Sequence, residues 1–239
     1  MTPSELEARL LYRDGLMLIL DKPAGLAVHA GPRGGPSLRD HLEALRFGLR
    51  QAPELAHRLD RDTSGCLVLG RHRKALAKLG RLFSDGQVRK TYWAVVVGRP
   101  PQDEGDVDLP LLKENRTTGW KMRVDAKGQP SQTHYRRIGG DGARSWLALE
   151  PKTGRTHQLR VHMAALGCPI LGDPNYGGTA TQAGRFPLHL HAREVRVPLY
   201  PRRTPIRAEA AVPEHMKDAM RACGWKDGPR PVASEEPAA

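Results

Sequence analysis

Charged side chains with catalytic potential concentrate in residues 57–65, which read His-Arg-Leu-Asp-Arg-Asp-Thr-Ser-Gly. Asp60 and Asp62 alternate there with two arginines, and the apolar run Cys66–Leu69 follows directly. A carboxylate beside a buried strand must be paired or have a shifted pKa, and such settings are common in catalysis. The segment also fits an ordinary turn in which Asp62 accepts hydrogen bonds from nearby backbone amides. On its own it leaves both interpretations open.

Segment 57–65 resembles the catalytic signature of RNA pseudouridine synthases, in the branch that includes the ribosomal large-subunit synthase A. Four more blocks resemble that branch in the same order: 21–26 (Asp-Lys-Pro-Ala-Gly-Leu), 90–94 (Lys-Thr-Tyr-Trp-Ala), 152–162 (Lys-Thr-Gly-Arg-Thr-His-Gln-Leu-Arg-Val-His) and 169–173 (Pro-Ile-Leu-Gly-Asp). The resemblance spans residues 16–213, nearly the whole chain. It implies an enzyme that isomerises uridine to pseudouridine in RNA without a cofactor.

The resemblance implies three catalytic residues, Asp60, Tyr92 and Arg155. Pseudouridine formation breaks the bond between uracil and C1′ of the ribose, turns the base, and rejoins it through C5. The reaction therefore needs an ionised carboxylate beside the sugar, as glycosidases do. The family match assigns this carboxylate to Asp60, whereas periodicity does not choose between Asp60 and Asp62.

Arg155 and Tyr92 are implied to support that carboxylate and the base. A half-buried carboxylate tends to protonate unless a cation holds it ionised, and the resemblance makes Arg155 the partner of Asp60. The alternative role of Arg155 is a contact with RNA phosphate. Tyr92 would stack on the flipped base and could shuttle a proton through its hydroxyl. Trp93 should face the opposite side of the strand and pack there.

Arg58 and Arg160 are the two residues that we predict to bind RNA. The resemblance supports Arg58 as a brace for the gap that the flipped base leaves, because a planar guanidinium can stack there. Arg160 lies one turn into a predicted helix, where binding phosphate and covering the sheet are equally good interpretations. We expect further phosphate contacts from the loop 31–36 and the segment 100–128.

The composition favours a folded protein with a polyanionic partner. The chain has 239 residues, of which 39% are hydrophobic. This length fits one large domain or two small ones and is enough for a buried core. The net charge of +12 suggests a nucleic acid, although charge alone does not separate RNA from DNA or an anionic membrane. No apolar run approaches the roughly 20 residues of a membrane span.

The three cysteines are odd in number and widely spaced. This pattern is typical of reduced thiols in a cytoplasmic protein.

No metal site is predicted. His157 and His162 are five residues apart, which misses the spacing of a zinc-binding helix. His189 and His191 share a face of a predicted strand, but no cysteine or carboxylate cluster accompanies them. We therefore interpret the last two as structural or RNA-contacting.

Apolar periodicity predicts an α+β fold, with a mixed, largely antiparallel sheet flanked by helices. Strands are expected at 16–21, 66–69, 90–97, 131–138, 145–151 and 189–197, and helices from Ser37, at 74–84, from Thr156 to Leu166 and at 213–222. Segment 100–128 has little periodicity and is expected to be a mobile insertion. We expect an N-terminal extension over 1–15 without a separate RNA-binding domain, one catalytic domain over 16–226, and a disordered tail over 227–239.

Three functions from different classes fit these observations. The first is a site-specific RNA uridine isomerase, expected to be a monomer, that acts on hairpin loops of ribosomal large-subunit RNA or transfer RNA. The second is a non-catalytic RNA-binding or ribosome-assembly protein, in which the catalytic residues would be expected to have decayed. The third is a glycosylase that uses the same carboxylate but releases the base. Asp60, Tyr92 and Arg155 are all intact, which favours the first.

Overall fold

The structure is a computed structural model that describes residues 1–30, 34–116 and 119–228. The helices and strands follow in chain order: α1 (Pro3–Glu7), β1 (Leu10–Arg13), β2 (Met17–Lys22), a 3₁₀ helix (Leu38–Leu45), β3 (Glu54–Leu55), β4 (Ser64–Gly70), α2 (Arg73–Ser84), β5 (Arg89–Val97), β6 (Glu104–Asp108), β7 (Leu111–Arg116), β8 (Gly119–Val124), β9 (Gln132–Gly140), β10 (Arg144–Pro151), α3 (Gln158–Ala165), a second 3₁₀ helix (Gly178–Thr181), β11 (Leu190–Val197), β12 (Ile206–Glu209) and α4 (Glu214–Ala222).

The chain divides into two compact units. Among the described residues, unit 1 contains Met1–Lys90 and Ala192–Ala211, and unit 2 contains Thr91–His191 and Val212–Gly228. No helix of this described part is both long and apolar enough to cross a membrane.

Unit 1 is built on a sheet in the order β1–β2–β4–β11, with β12 beside β11 and β3 beside β4. Strand β4 is buried along its whole length and runs antiparallel to β2, with Lys22 opposite Gly65. Helix α2 buries Ala75 and Leu79. Leu79 packs with residues of five strands in one hydrophobic cluster: Tyr12, Met17, Ile19, Cys66, Val68, Val195, Val197 and Ala208. Lys22 and Gly65 are paired at the end of this buried sheet. The segment that follows β2 therefore starts beside the point where the segment before β4 ends.

Unit 2 is built on a sheet in the order β5–β10–β9–β6, in which every pairing is antiparallel. Helix α4 packs Met216 and Met220 against Val95 and Trp146 of this sheet. Strands β7 and β8 form a separate two-stranded ladder. This ladder packs through Leu111 and Met122 against Val161 of α3 and against Tyr176.

The α+β class, with a largely antiparallel sheet flanked by helices, is confirmed, and each strand predicted from an apolar run is present. The expected pair across the turn at 139–142 forms as β9 and β10, with Leu149 opposite Tyr135. The predicted helices at 74–84 and 213–222 are present as α2 and α4. The expectation of one catalytic domain over 16–226 stays a prediction.

Three local predictions are corrected. Segment 100–128 contains β6, β7 and β8 rather than an irregular insertion, although residues 117–118 lie outside the described part. The segment after Ser37 forms a 3₁₀ helix, and the N–H of its N-cap residue Ser37 donates a hydrogen bond of 2.8 Å to the Asp40 carboxylate. Helix α3 begins at Gln158, because His157 precedes it with a left-handed φ of 54°.

Two further predictions lie wholly or partly outside the described residues. Residues 31–33 of the expected RNA-contacting loop 31–36 are not described, and neither are residues 229–239 of the expected disordered tail.

Candidate active site

Asp60 lies in the loop between β3 and β4 of unit 1. Leu59 is buried, whereas Arg58 and Arg61 are exposed and Asp60 is half-buried. The N–H of Thr63 donates a hydrogen bond of 3.2 Å to the carbonyl of Asp60 and closes a turn. Leu59 therefore anchors the loop while its charged neighbours face outward. The exposure of Arg58 fits its predicted RNA contact, which stays a prediction.

A buried ammonium group joins this loop to the block 21–26. Lys22 is 1% exposed, and its Nζ donates to the carbonyls of Pro23 (2.7 Å), Leu26 (2.8 Å) and Arg61 (3.0 Å). Burial lowers the pKa of Lys22 to about 8, and the nearby carboxylates of Asp62 and Asp60 oppose that shift. Lys22 is thus a cation that attracts both candidate carboxylates and fixes the backbone between them.

Two more contacts hold the loop in unit 1. The Nε of Arg61 donates to the carbonyl of Gly25 at 3.1 Å, which gives a second tie between the two blocks. Gly65 has a φ of 104°, and a Cβ there would lie 2.3 Å from the carbonyl oxygen of Ala192. Only glycine fits at this position, because both the backbone conformation and the close neighbouring strand exclude a side chain.

His57 is a structural member of the signature. Its Nε2 accepts a hydrogen bond of 3.0 Å from the N–H of Val68, and its ring stacks on Phe83 with centroids 4.6 Å apart. Burial, with a smaller contribution from the charge of Lys90, lowers the pKa of His57 to about 3. The ring is therefore neutral at physiological pH, as its role of acceptor requires.

Tyr92 and Trp93 point to opposite faces of β5 in unit 2. Tyr92 is buried and stands opposite Leu149. Trp93 contacts Trp146 edge to face, with ring centroids 4.9 Å apart, and packs against the hydrophobic cluster of α4. The predicted packing role of Trp93 is confirmed.

Arg155 lies in the turn before α3, and Gln158 shapes that turn. The Oε1 of Gln158 accepts from the hydroxyl of Thr153 (2.7 Å) and from the N–H of Arg155 (3.0 Å). Its Nε2 donates to the carbonyl of Gln132 and the hydroxyl of Thr133, at 2.9 and 3.0 Å. The guanidinium of Arg155 is exposed, and its Nε donates to the carbonyl of Pro130 at 3.1 Å. The role of Gln158 could not be predicted from the sequence, because its partners lie up to 26 residues away.

Arg160 is buried in unit 2, and its predicted RNA contact stays a prediction. Its side chain is 3% exposed and forms a two-point ion pair with Asp173, in which both N–O distances are 2.8 Å. Asp173 also accepts hydrogen bonds from the N–H groups of Asn175 and Tyr176. Arg160 therefore joins the blocks 152–162 and 169–173 inside unit 2.

The predicted site residues fall in both units: Arg58 and Asp60 in unit 1, and Tyr92, Arg155 and Arg160 in unit 2. The pairing of Asp60 with Arg155 stays a prediction. In the part of the chain that the structure describes, no three His, Cys, Asp or Glu side chains are grouped so that they could hold a metal ion.

Comparisons with known proteins agree with the motifs. A family model for RNA pseudouridylate synthases matches residues 16–165. An uncharacterized RNA pseudouridine synthase of Zymomonas mobilis is 45% identical over 217 residues, which cover 89% of this chain and 97% of the relative. Ribosomal large subunit pseudouridine synthase C of Haemophilus ducreyi is 38% identical over 199 residues, which cover 81% of this chain and 62% of the relative.

A solved structure shows the same similarity in three dimensions. The human protein called RNA pseudouridylate synthase domain containing 4 superimposes with a TM-score of 0.78 and 27% identity, over 93% of this chain and 95% of that one.

Proposed function

The chain belongs to the RNA pseudouridylate synthase family, and on this premise we propose that it isomerises particular uridines in structured RNA with Asp60 as the catalytic carboxylate. The observation that carries the choice of Asp60 is its loop, which Leu59 anchors and Lys22 ties to the block 21–26. A loop fixed at both points holds its carboxylate in one place. This is needed for a group that reacts at a single carbon atom.

The proposed substrate is a hairpin loop of ribosomal large-subunit RNA or of transfer RNA. The name of the Haemophilus ducreyi relative refers to the ribosomal large subunit, which supports the first of these. Because the target base is stacked in the folded RNA, it must be turned out of the stack before a side chain can reach its ribose. The guanidinium of Arg58 is exposed and is suited to fill the space that the base leaves.

The proposed reaction leaves the composition of the nucleotide unchanged and exchanges one hydrogen with solvent. The bond between N1 and C1′ breaks, a bond between C5 and C1′ forms, the proton on C5 leaves to solvent and N1 takes up a proton. Asp60 either attacks C1′, forming a bond that breaks again when C5 bonds to C1′, or stabilises the positive charge that develops there. Tyr92 would hold the detached base by stacking, and Arg155 would keep Asp60 ionised.

Replacing each signature aspartate by asparagine tests the assignment. Asp60→Asn should abolish isomerisation and leave folding and RNA affinity nearly unchanged, because the amide has the same shape but can neither attack C1′ nor carry the charge. Asp62→Asn is the matched control and should retain measurable turnover. Release of tritium from RNA labelled at C5 of uridine measures the reaction directly. Full activity of Asp60→Asn, or complete loss only in Asp62→Asn, contradicts the proposal.

The same assay separates the two alternative functions. A glycosylase would release free uracil, which is absent from the products of an isomerase. A non-catalytic RNA-binding protein would bind RNA and release no tritium.

A further inference from the structure

Helix α2 of unit 1 carries a stripe of exposed cations on one face. Lys74, Lys78 and Arg81 are spaced four and three residues apart on this helix, so their side chains lie in one row along it. All three are exposed, and the opposite face buries Ala75 and Leu79. The buried face therefore fixes the position of helix α2, while the row of cations stays exposed to solvent.

A neighbouring turn adds two more cations to this row. The Nζ of Lys78 lies 5.9 Å from the ring centroid of Tyr200, and the guanidinium of Arg203 lies 5.5 Å from the same centroid. Arg202 precedes Arg203 in the turn that follows Tyr200, and both arginines are exposed. We call Lys74, Lys78, Arg81, Arg202 and Arg203 the α2 surface. The ring of Tyr200 connects its two parts.

These cations have no carboxylate partner among the described residues, unlike the cations of α4. On α4, Lys217 pairs with Glu214 at 2.6 Å, and Arg221 pairs with Asp218 and Asp227 at 3.1 and 2.9 Å. Pairing of this kind neutralises the exposed face of α4. The α2 surface concentrates positive charge without such neutralisation.

Two members of the α2 surface are unfavourable for folding, Lys74 because of its charge and Arg202 because of its backbone conformation. Lys74 lies in the first turn of α2, which contains no acidic residue. A cation there is repelled by the positive end of the helix dipole. Arg202 has a φ of 68°. This left-handed conformation suits glycine and strains other residues. Stability of the fold therefore does not explain the residue types at these two positions.

We propose that the α2 surface binds the phosphate backbone of the RNA substrate. The inference rests on the proposed function, because that function supplies the polyanion. The row on α2 suits a backbone, since residues four apart on a helix are about 6 Å apart along its axis and can contact successive phosphates. The surface adds affinity without reading bases, so it acts on RNA flanking the modified uridine.

A pair of double variants tests the proposal. Lys78→Gln with Arg81→Gln removes one lysine and one arginine from the α2 surface, and Lys217→Gln with Arg221→Gln removes the same two residue types from α4. Affinity for a fluorescent hairpin RNA with a long stem is measured over a range of salt concentrations. The α2 variant should lower the slope of log affinity against log salt by about 1.4–1.8, because each lost phosphate contact contributes about 0.7–0.9. The α4 variant should leave the slope unchanged. Equal slopes in the two variants would overturn the proposal, since total charge would then govern binding.

Two single variants test the conflict between folding and binding. Lys74→Glu should raise the melting temperature by about 1–3 °C while weakening RNA binding. Arg202→Gly should likewise stabilise the fold and weaken binding. The control is Gln182→Gly, which relieves a φ of 51° in unit 2 and should stabilise without any effect on RNA. Stabilised Lys74→Glu and Arg202→Gly proteins with unchanged RNA affinity would overturn the proposal.

Turnover distinguishes this inference from the proposed function. With large-subunit ribosomal RNA labelled at C5, the α2 double variant should raise KM and leave kcat unchanged. A wild-type protein that releases no tritium would contradict the proposed function alone, because the binding comparison would remain interpretable. If the wild type is active and the α2 substitutions leave RNA affinity unchanged, the proposal for the α2 surface alone would be contradicted. Preferential binding to anionic lipid vesicles over the hairpin RNA would overturn it as well.

Discussion

Lys22 is a charged residue at a buried position, where burial disfavours the charged form of its side chain. Its pKa is lowered from 10.5 to about 8. This shift corresponds to about 3 kcal/mol at neutral pH, at about 1.4 kcal/mol for each pKa unit. This net value already includes the attraction to Asp62 and Asp60, and hydrogen bonds to three carbonyls hold the ammonium group in place. The arrangement is explained better by the positioning of a reactive loop than by stability, because an apolar side chain would avoid the cost of burying a charge.

Asp21, beside Lys22, predicts the direction in which stability changes with pH. Burial raises its pKa from 3.8 to about 6, and the charges of Arg9 and Lys22 oppose the rise. Between these two pH values the folded state keeps a proton that the unfolded state has released, so stability falls as pH rises. Asp21→Asn should therefore be more stable than wild type by about 1–3 kcal/mol above pH 6, and the difference should vanish near pH 4.

Urea unfolding at pH 4, 5 and 8 measures this difference. Asp108→Asn, at an exposed position of β6, is the control for the change of an aspartate to an asparagine. A constant gap between Asp21→Asn and wild type at every pH would contradict the assigned shift of the Asp21 pKa.

The part of the site that the sequence could not predict consists of contacts to distant backbone. The motif blocks contain Lys22 and Gln158, yet nothing in their spacing shows that they bind carbonyl groups. Lys22 donates to Arg61, 39 residues away, and Gln158 donates to Gln132, 26 residues away. The resemblance could name candidate side chains because their types recur in a fixed order. The hydrogen bonds that place them depend on how the strands pair.

At the scale of elements, Arg160 and Asp173 test whether a motif residue serves folding rather than RNA binding. The two side chains form a buried ion pair. Arg160→Ala leaves the carboxylate of Asp173 buried without its cation, which should destabilise the protein by about 3–5 kcal/mol. Replacing both partners, with Arg160→Met and Asp173→Asn, should recover much of this loss because no unpaired charge remains.

Denaturant unfolding and the salt dependence of RNA affinity separate the two roles of Arg160. If Arg160 serves only the fold, the double variant should bind RNA with the same salt slope as wild type. Unchanged stability of Arg160→Ala together with a reduced salt slope would restore the phosphate-binding interpretation.

Strands could be predicted from the sequence where an apolar run fills them, and were missed where it does not. Strand β4 is buried throughout and reads as a continuous apolar segment. In β7 and β8, Lys113 and Glu114 stand opposite Met122 and Lys121, so neither strand shows an apolar alternation. This ladder depends instead on Leu111 and Met122, which pack against α3. Such support becomes visible only once α3 has been placed.

At the scale of the whole molecule, the charge excess predicted a polyanionic partner but not where it binds. The chain has 38 basic and 26 acidic residues, and composition treats them as equivalent. The structure separates cations that have partners, such as Arg160 and Arg221, from those of the α2 surface. The location of an RNA-binding surface thus depends on pairing, which the sequence does not show.

The three cysteines provide a reporter of folding in each unit. Cys66 lies in unit 1, and Cys168 and Cys223 lie in unit 2; each is a free thiol at most 2% exposed. Burial raises the pKa of all three, that of Cys66 to about 12. Little of the reactive thiolate therefore forms in the folded protein.

A colourless aromatic disulfide that releases a coloured thiol should react negligibly with the native protein at pH 8. In full denaturant it should react with three thiols per chain. If unit 1 opens first as urea rises, one thiol should react before the other two, and Cys66→Ala should abolish that early phase. Rapid reaction of any thiol without denaturant would contradict the burial on which this prediction depends.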